Sequence, residues 1–162
     1  MYNRETTFFT GINGGIYTDF YYAIYRSNVV LGSFDLVADI ESEDITRITA
    51  EARFVRAVCH LGAVKMFAQP FGFTADNSHL GIPLRLEASQ NPLPRSTVGE
   101  VYEAIIEDFT YAAENLPSSN GAYATSGAAH AYLAHIYFLM QEWMNTVSYC
   151  DAIISSGNYS LD

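Results

Sequence analysis

The stretch from Ile45 to Gly72, ITRITAEARFVRAVCHLGAVKMFAQPFG, limits what this chain can fold into more than any other. Ile45, Ile48, Ala52, Val55, Cys59, Gly62 and Met66 recur at alternating steps of three and four residues, the apolar stripe of an amphipathic helix. Phe54, Val58 and Leu61 widen that stripe, so the helix is expected to be buried on more than one side. No Pro or Gly interrupts it before Gly62, and Pro70 ends it. Ser42, Glu43 and Asp44 place a capping side chain and negative charge at its start, where free N–H groups favour them. About 24 residues at about 1.5 Å each make a rod of roughly 36 Å. A rod that long in a chain of 162 residues requires other helices to lie along it.

Ahead of it, Met1 to Ile16 is polar and holds Gly11, Gly14 and Gly15, which reads as a loop. No Lys-Ser/Thr ending follows those glycines, so a phosphate loop is not expected. Thr18 and Asp19 are placed to cap a helix running to about Leu31, with Tyr21, Ile24, Tyr25, Val29 and Leu31 on its apolar side. Tyr22 and Arg26, four apart, lie near one another on that helix, and Gly32 suits its C-terminal end. Ser33 to Asp44 is acidic but lacks the spacing and central Gly of a calcium loop, so it reads as a solvated lead-in.

After the long helix, Gln69 to Arg95 forms a connection far longer than usual between helices, and Pro70, Pro83, Pro92 and Pro94 lie in it. Phe71, Phe73, His79 and Arg85 are its expected contact residues. Thr97-Val98-Gly99-Glu100 then fits a capping box. Tyr102, Ile105, Ile106, Phe109, Ala112, Ala113 and Leu116 give the third helix one apolar face. Glu100, Glu103, Glu107 and Glu114 form a solvated face opposite, and Leu116-Pro117 ends the helix. A fourth helix is expected from about Ser126 to Gln141 and a fifth from Glu142 or Trp143 to Ser156, stopped by Gly157. This is an all-α chain.

The net charge is −10, with seven Arg and the single lysine Lys65. Nucleic acid would be repelled, because phosphate binding requires clustered Lys and Arg; no nucleic-acid partner is expected. No apolar run approaches the roughly 20 residues of a membrane span. Cys59 and Cys150 sit among apolar neighbours in helical patterns and read as buried thiols acting as small hydrophobes. Residues 1–9, MYNRETTFF, lack the features of a signal peptide. His130 and His135 are five apart, not the three or four that align two ligands on one helical face. With no HExxH, GxSxG or CxxC pattern either, no catalytic residue, metal site or cofactor is expected.

The last two helices form a close hairpin. Leu133, Ala134 and Tyr137 fit the first half of a tetratricopeptide repeat, whereas Thr146, Cys150 and Ile153 fit the second half poorly. Ala128, Ala129, Ala131 and Ala134 supply the small residues needed where two helices touch. The fold expected is a set of tetratricopeptide-like helical hairpins, an α-α superhelix, with one long Pro-rich connecting loop.

Four segments, in order, resemble the SusD/RagB family of outer-membrane nutrient-binding lipoproteins. DFYYAIYRSNVVL resembles the family's Tyr–Ile–Asn helix. AEARFVRAVCHLGAVKMFAQPFG with GIPL resembles its long helix and following Pro-Leu. PRSTVGEVYEAIIEDFTYAAENLP resembles its next helix, and GAAHAYLAHIYFLMQEW with DAIISSGNYSL its helical hairpin. The chain departs from the family's pattern at His135, where Arg or Lys is frequent, and at Gln141 and Glu142, where Gly usually precedes the Trp. Family members are much longer, so residues 1–162 are expected to be a single helical domain, part of a larger SusD-like protein whose lipid anchor and C-terminal half are absent from this sequence.

The resemblance implies a non-enzymatic protein of the cell outer membrane, surface-exposed as a lipoprotein. It implies binding of a nutrient, a glycan or a peptide, and delivery to a TonB-dependent transporter that meets the helical scaffold. Ligand contacts in the family often come from the segment before the Tyr–Ile–Asn helix, which makes Tyr2, Asn13 and Tyr17 candidates. Phe73 and Arg85 of the long connection join them. The alternative is a soluble tetratricopeptide-like adaptor that binds a protein or peptide partner through basic residues on a concave face.

Overall fold

The apolar stripe of the long stretch becomes one helix, Ser42–Phe67 (26 residues, roughly 39 Å), against which the rest of the chain is arranged. The computed structural model describes residues 12–159, with side chains from residue 15 onward. Five helices follow in order: α1 (Ile12–Leu31), α2 (Ser42–Phe67), α3 (Val98–Asn115), α4 (Ser126–Leu139) and α5 (Trp143–Ser155), with one 3-10 turn, Phe34–Leu36, in the acidic link. Successive helices are neighbours, and the expected all-α hairpin architecture is the one observed.

Two helix starts differ from the sequence reading. Within the described residues α1 already runs from Ile12, so Gly14 and Gly15 are helical rather than looped, and Thr18 and Asp19 lie inside the helix instead of capping it. Glycine lowers helix stability by only about 1 kcal/mol per residue, and packing against α2 overrides that. The Tyr17 ring meets Phe67 edge-on at 5.1 Å. The Phe20 ring lies so close to Gly62 that a Cβ there would stand 2.6 Å from it. At the start of α2, Ser42 is the first helical residue and does not cap. Glu41 is the N-cap and makes no side-chain cap bond. Its carbonyl accepts the Ile45 N–H at 3.0 Å, which closes the first turn one residue earlier than expected. Glu43 and Asp44 still supply negative charge to that turn.

The core is centred on Phe109 of α3. Tyr132 of α4 stacks on it at 4.8 Å and Phe54 of α2 meets it edge-on at 5.5 Å. Leu61, Val64, Val98, Val101, Ile105, Leu133 and Ile136 complete the layer, and the long connection contributes Ile82 to it. A smaller cluster of Ala50, Ala112, Leu116 and Ala129 fills the other end of the α2–α3–α4 seam. Of the four alanines expected at helix contacts, Ala129 and Ala134 are buried and Ala128 is half-buried, but Ala131 points to solvent. Cys59 and Cys150 are free thiols, half-buried rather than fully buried.

The capping box of α3 forms as expected: Glu100 N–H donates to Thr97 Oγ1 at 3.2 Å, and Thr97 N–H donates to the Glu100 carboxylate at 2.8 Å. The same Thr97 forms an antiparallel bridge with Leu80. There Gly81 N–H donates to Ser96 O at 2.7 Å, so close that a Cβ on Gly81 would lie 3.0 Å from that oxygen. The long connection therefore returns on itself and is tied to the entrance of α3. α4 ends at Leu139, two residues before the expected Gln141, because Gln141 takes a left-handed conformation with φ 62°.

Candidate functional site

On α1, Tyr17, Tyr21, Ile24 and Asn28 recur at steps of four, three and four and form the side that meets α2 and the long connection. Tyr17 and Tyr21 rings lie 4.5 Å apart. The Tyr21 hydroxyl donates to Pro83 O at 2.7 Å. Asn28 Nδ2 donates to the carbonyls of Arg85 and Glu87 at 3.1 and 3.2 Å. Residues 83–87 are thereby laid along α1. Burial first, and then the neighbouring Tyr17, push the Tyr21 phenol above its ordinary pKa, so it remains a donor.

Beneath that segment is a buried ionic cluster. Asp108, 2 % exposed, accepts from Arg53 Nε at 2.6 Å and from Arg56 Nε and Nη2, each at 2.8 Å. Arg56 Nη1 also donates to Asn28 Oδ1 at 2.8 Å and to Leu86 O at 3.1 Å. Arg53 reaches outward to Glu107 at 2.8 Å and lies over the Tyr111 ring at 4.6 Å. His60 is almost fully buried; burial, then the Arg56 charge, lower its pKa to about 4, with Asp108 opposing. Its neutral Nε2 accepts the Arg85 N–H at 3.4 Å. Three consecutive residues of the connection, Arg85 to Glu87, are thus held by α1 and α2 side chains.

The structure places the candidate ligand residues as follows. Tyr2 lies outside the described residues, and Asn13 falls in α1 with its side chain outside the described part. Tyr17 is half-buried between Tyr21 and Phe67. Arg85 is half-buried, its guanidinium donating to Ser89 O at 2.7 Å and Asn91 O at 2.9 Å. Tyr21, whose ring lies beside Tyr17, bonds the Pro83 carbonyl, and Asn28 bonds the Arg85 carbonyl, so the connection carries Arg85 along the same side of α1 that presents Tyr17. Phe73 is 61 % exposed and has its ring partner in His79, centroids 5.4 Å apart. Among the described residues, no group of three His, Cys, Asp or Glu is arranged to hold a metal ion.

Asn28, Arg56 and Asp108 were not legible as a site, although a signal existed. Each occupies an apolar-stripe position: Asn28 after Ile24, Arg56 after Ala52, and Asp108 between Ile105 and Ala112. Polar residues on three facing stripes are expected to satisfy one another.

A model of a family described as starch-binding and associating with the outer membrane, SusD-like, matches residues 1–138. The chain belongs to the SusD-like family. SusD-like protein P25 of Formosa agariphila is 29 % identical over 147 residues, which cover 88 % of this chain and 26 % of that protein. A SusD superfamily structure from Bacteroides thetaiotaomicron superposes with a TM-score of 0.80 at 26 % identity, covering 90 % of this chain and 33 % of its own. Another, from Bacteroides fragilis, gives 0.80 at 27 % identity, covering 93 % of this chain and 36 % of its own. This SusD-like chain therefore spans about a quarter of that curated relative and about a third of each solved structure.

Proposed function

We propose that this chain is the helical part of a larger protein that captures a glycan at the bacterial cell surface and delivers it to a TonB-dependent transporter. The observation that supports this reading is the match of residues 1–138 to a family described as starch-binding and associating with the outer membrane. Tyr17, Phe73 and Arg85, with Tyr2 and Asn13, are the proposed ligand contacts. Aromatic rings stack on the C–H faces of a sugar while polar groups meet its hydroxyls. The helical scaffold is the proposed face toward the transporter, and the lipid anchor belongs to the larger protein.

The adaptor alternative requires free basic groups along a concave surface. Arg53 and Arg56 are occupied by Asp108, and Arg95 by loop carbonyls. That arrangement favours the glycan reading. Isothermal titration of the full-length protein with maltoheptaose tests it. Binding is expected, weakened about tenfold (about 1.4 kcal/mol) by Tyr17→Ala or Arg85→Ala. A full-length protein that takes up neither starch oligosaccharides nor other glycans, yet binds peptides, would reverse the order of the two readings.

A further inference from the structure

The outer face of the α1–α2 pair is lined as a helix seat. Together with Tyr22 and Tyr123, Ala23, Ser27 and Val30 of α1 and Ile48, Ala52 and Val55 of α2 line a groove of about 630 Å³. Within each helix these residues recur at steps of three and four, so the floor is a continuous seam. Ala23, Ser27 and Ala52 are small enough to admit a third backbone closely. Val55 is 43 % exposed, Tyr22 60 % and Tyr123 71 %, a concentration of open apolar surface at the end of a helical stack.

The stack itself shows how such a seam is filled. On the other side of α2, α4 lies across the α2–α3 pair. Its Tyr132 meets Phe54 at 5.5 Å and Phe109 at 4.8 Å, and its Ala129 joins Ala50 and Ala112. The α1–α2 groove is the equivalent position one step back, and no helix among the described residues occupies it. In stacked helical hairpins an outermost face left to solvent is polar, whereas an apolar one marks an inner layer. About two thirds of each matched solved chain has no counterpart in this one. The rim adds a charge preference: Asp19 is acidic and exposed, Glu51 is already paired with Arg47 at 3.0 Å and accepts from Asn120 at 2.9 Å, and Arg26 is turned onto the Tyr22 ring at 5.5 Å.

We infer that this groove seats an amphipathic helix of about three turns, supplied by the same polypeptide outside this chain. That helix carries an apolar stripe and a Lys or Arg facing Asp19. The inference rests on the reading of the chain as part of a larger SusD-like protein; it does not depend on which ligand that protein binds.

Hydroxyl-radical footprinting of the unmodified full-length protein tests it without a substitution. Tyr22 and Tyr123 are expected to be oxidised at least about tenfold more slowly than in the denatured protein. Carbodiimide cross-linking is expected to join Asp19 to a lysine of the same polypeptide outside residues 1–162. Four results would overturn the inference: rapid oxidation of both tyrosines, a cross-link between two copies, protection that appears only when maltoheptaose is added, or a gene that ends at Asp162. Protected tyrosines in a protein that binds no glycan would leave the helix seat standing and defeat the proposed function alone.

Discussion

Arg56 and Asp108, 52 residues apart, are joined by two hydrogen bonds of 2.8 Å, one from Nε and one from Nη2, in a site where Asp108 is 2 % exposed. A buried ion pair adds little over a well-packed apolar pair, but breaking one leaves a charge without a partner. Asp108→Asn removes the negative charge that answers both Arg53 and Arg56. It is expected to cost about 3–5 kcal/mol, read as a lower urea midpoint at unchanged m-value. Because the residues act as a unit, Arg56→Met combined with Asp108→Leu is expected to cost clearly less than the sum of the two single changes.

The buried His60 makes stability depend on pH. Its folded pKa, about 4, lies below the ordinary 6.5, so the unfolded chain takes up the proton first. Stability from this group is complete above about pH 6.5 and declines as pH falls toward 4, by at most about 3 kcal/mol. His60→Gln keeps an acceptor for the Arg85 N–H and cannot be protonated. Denaturant melts between pH 7 and pH 4 are expected to fall less steeply for this variant than for the parent. Equal slopes would show that carboxylates alone set the acid limit.

The helices were legible because their information is local. The 3–4 stripe of α2, the Thr97–Glu100 box and the Leu116-Pro117 stop each lie within a few residues of the feature they determine. The start of α1 was not, since Gly14 and Gly15 argue for a loop and the packing of Tyr17 on Phe67 and of Phe20 on Gly62 outweighs them. The path of the long connection was also hidden. It depends on Asn28, Arg56 and His60, which meet backbone carbonyl and N–H groups 25 to 59 residues away. Backbone groups leave no trace in a side-chain pattern, so the sequence showed that the loop was long but not what holds it.

The Thr97 cap has a second duty that the sequence also concealed. Thr97 closes the capping box and bridges Leu80, so one residue joins the start of α3 to the return of the long connection. Thr97→Ala is expected to cost about 1 kcal/mol through the cap, measured by thermal melting. Thr97→Ser, which keeps the hydroxyl, is expected to lose much less. The hydrogen bonds from Thr97 hold the Glu100 carboxyl below its ordinary pKa, and the alanine variant is expected to move it up.

Asn28 offers the sharpest link between scaffold and candidate site. Its amide nitrogen bonds the carbonyls of Arg85 and Glu87 while its oxygen accepts from Arg56, so one side chain couples α1, α2 and the connection. Asn28→Ala leaves a buried arginine N–H without that acceptor and is expected to cost about 2–3 kcal/mol. Amide exchange should distinguish a local effect from a global one. If Asn28 holds the connection, the Arg85 amide is expected to exchange at least about tenfold faster, while amides in the middle of α3 change only as far as the overall stability requires. Tyr21→Phe, which removes the bond to Pro83 but keeps the ring, should give a weaker version of the same pattern. Should Arg85 contact a glycan as proposed, Asn28→Ala would also weaken that binding without touching the ligand, because Arg85 would no longer be held in one orientation. An unchanged affinity beside a loosened loop would place the ligand contacts elsewhere on the chain.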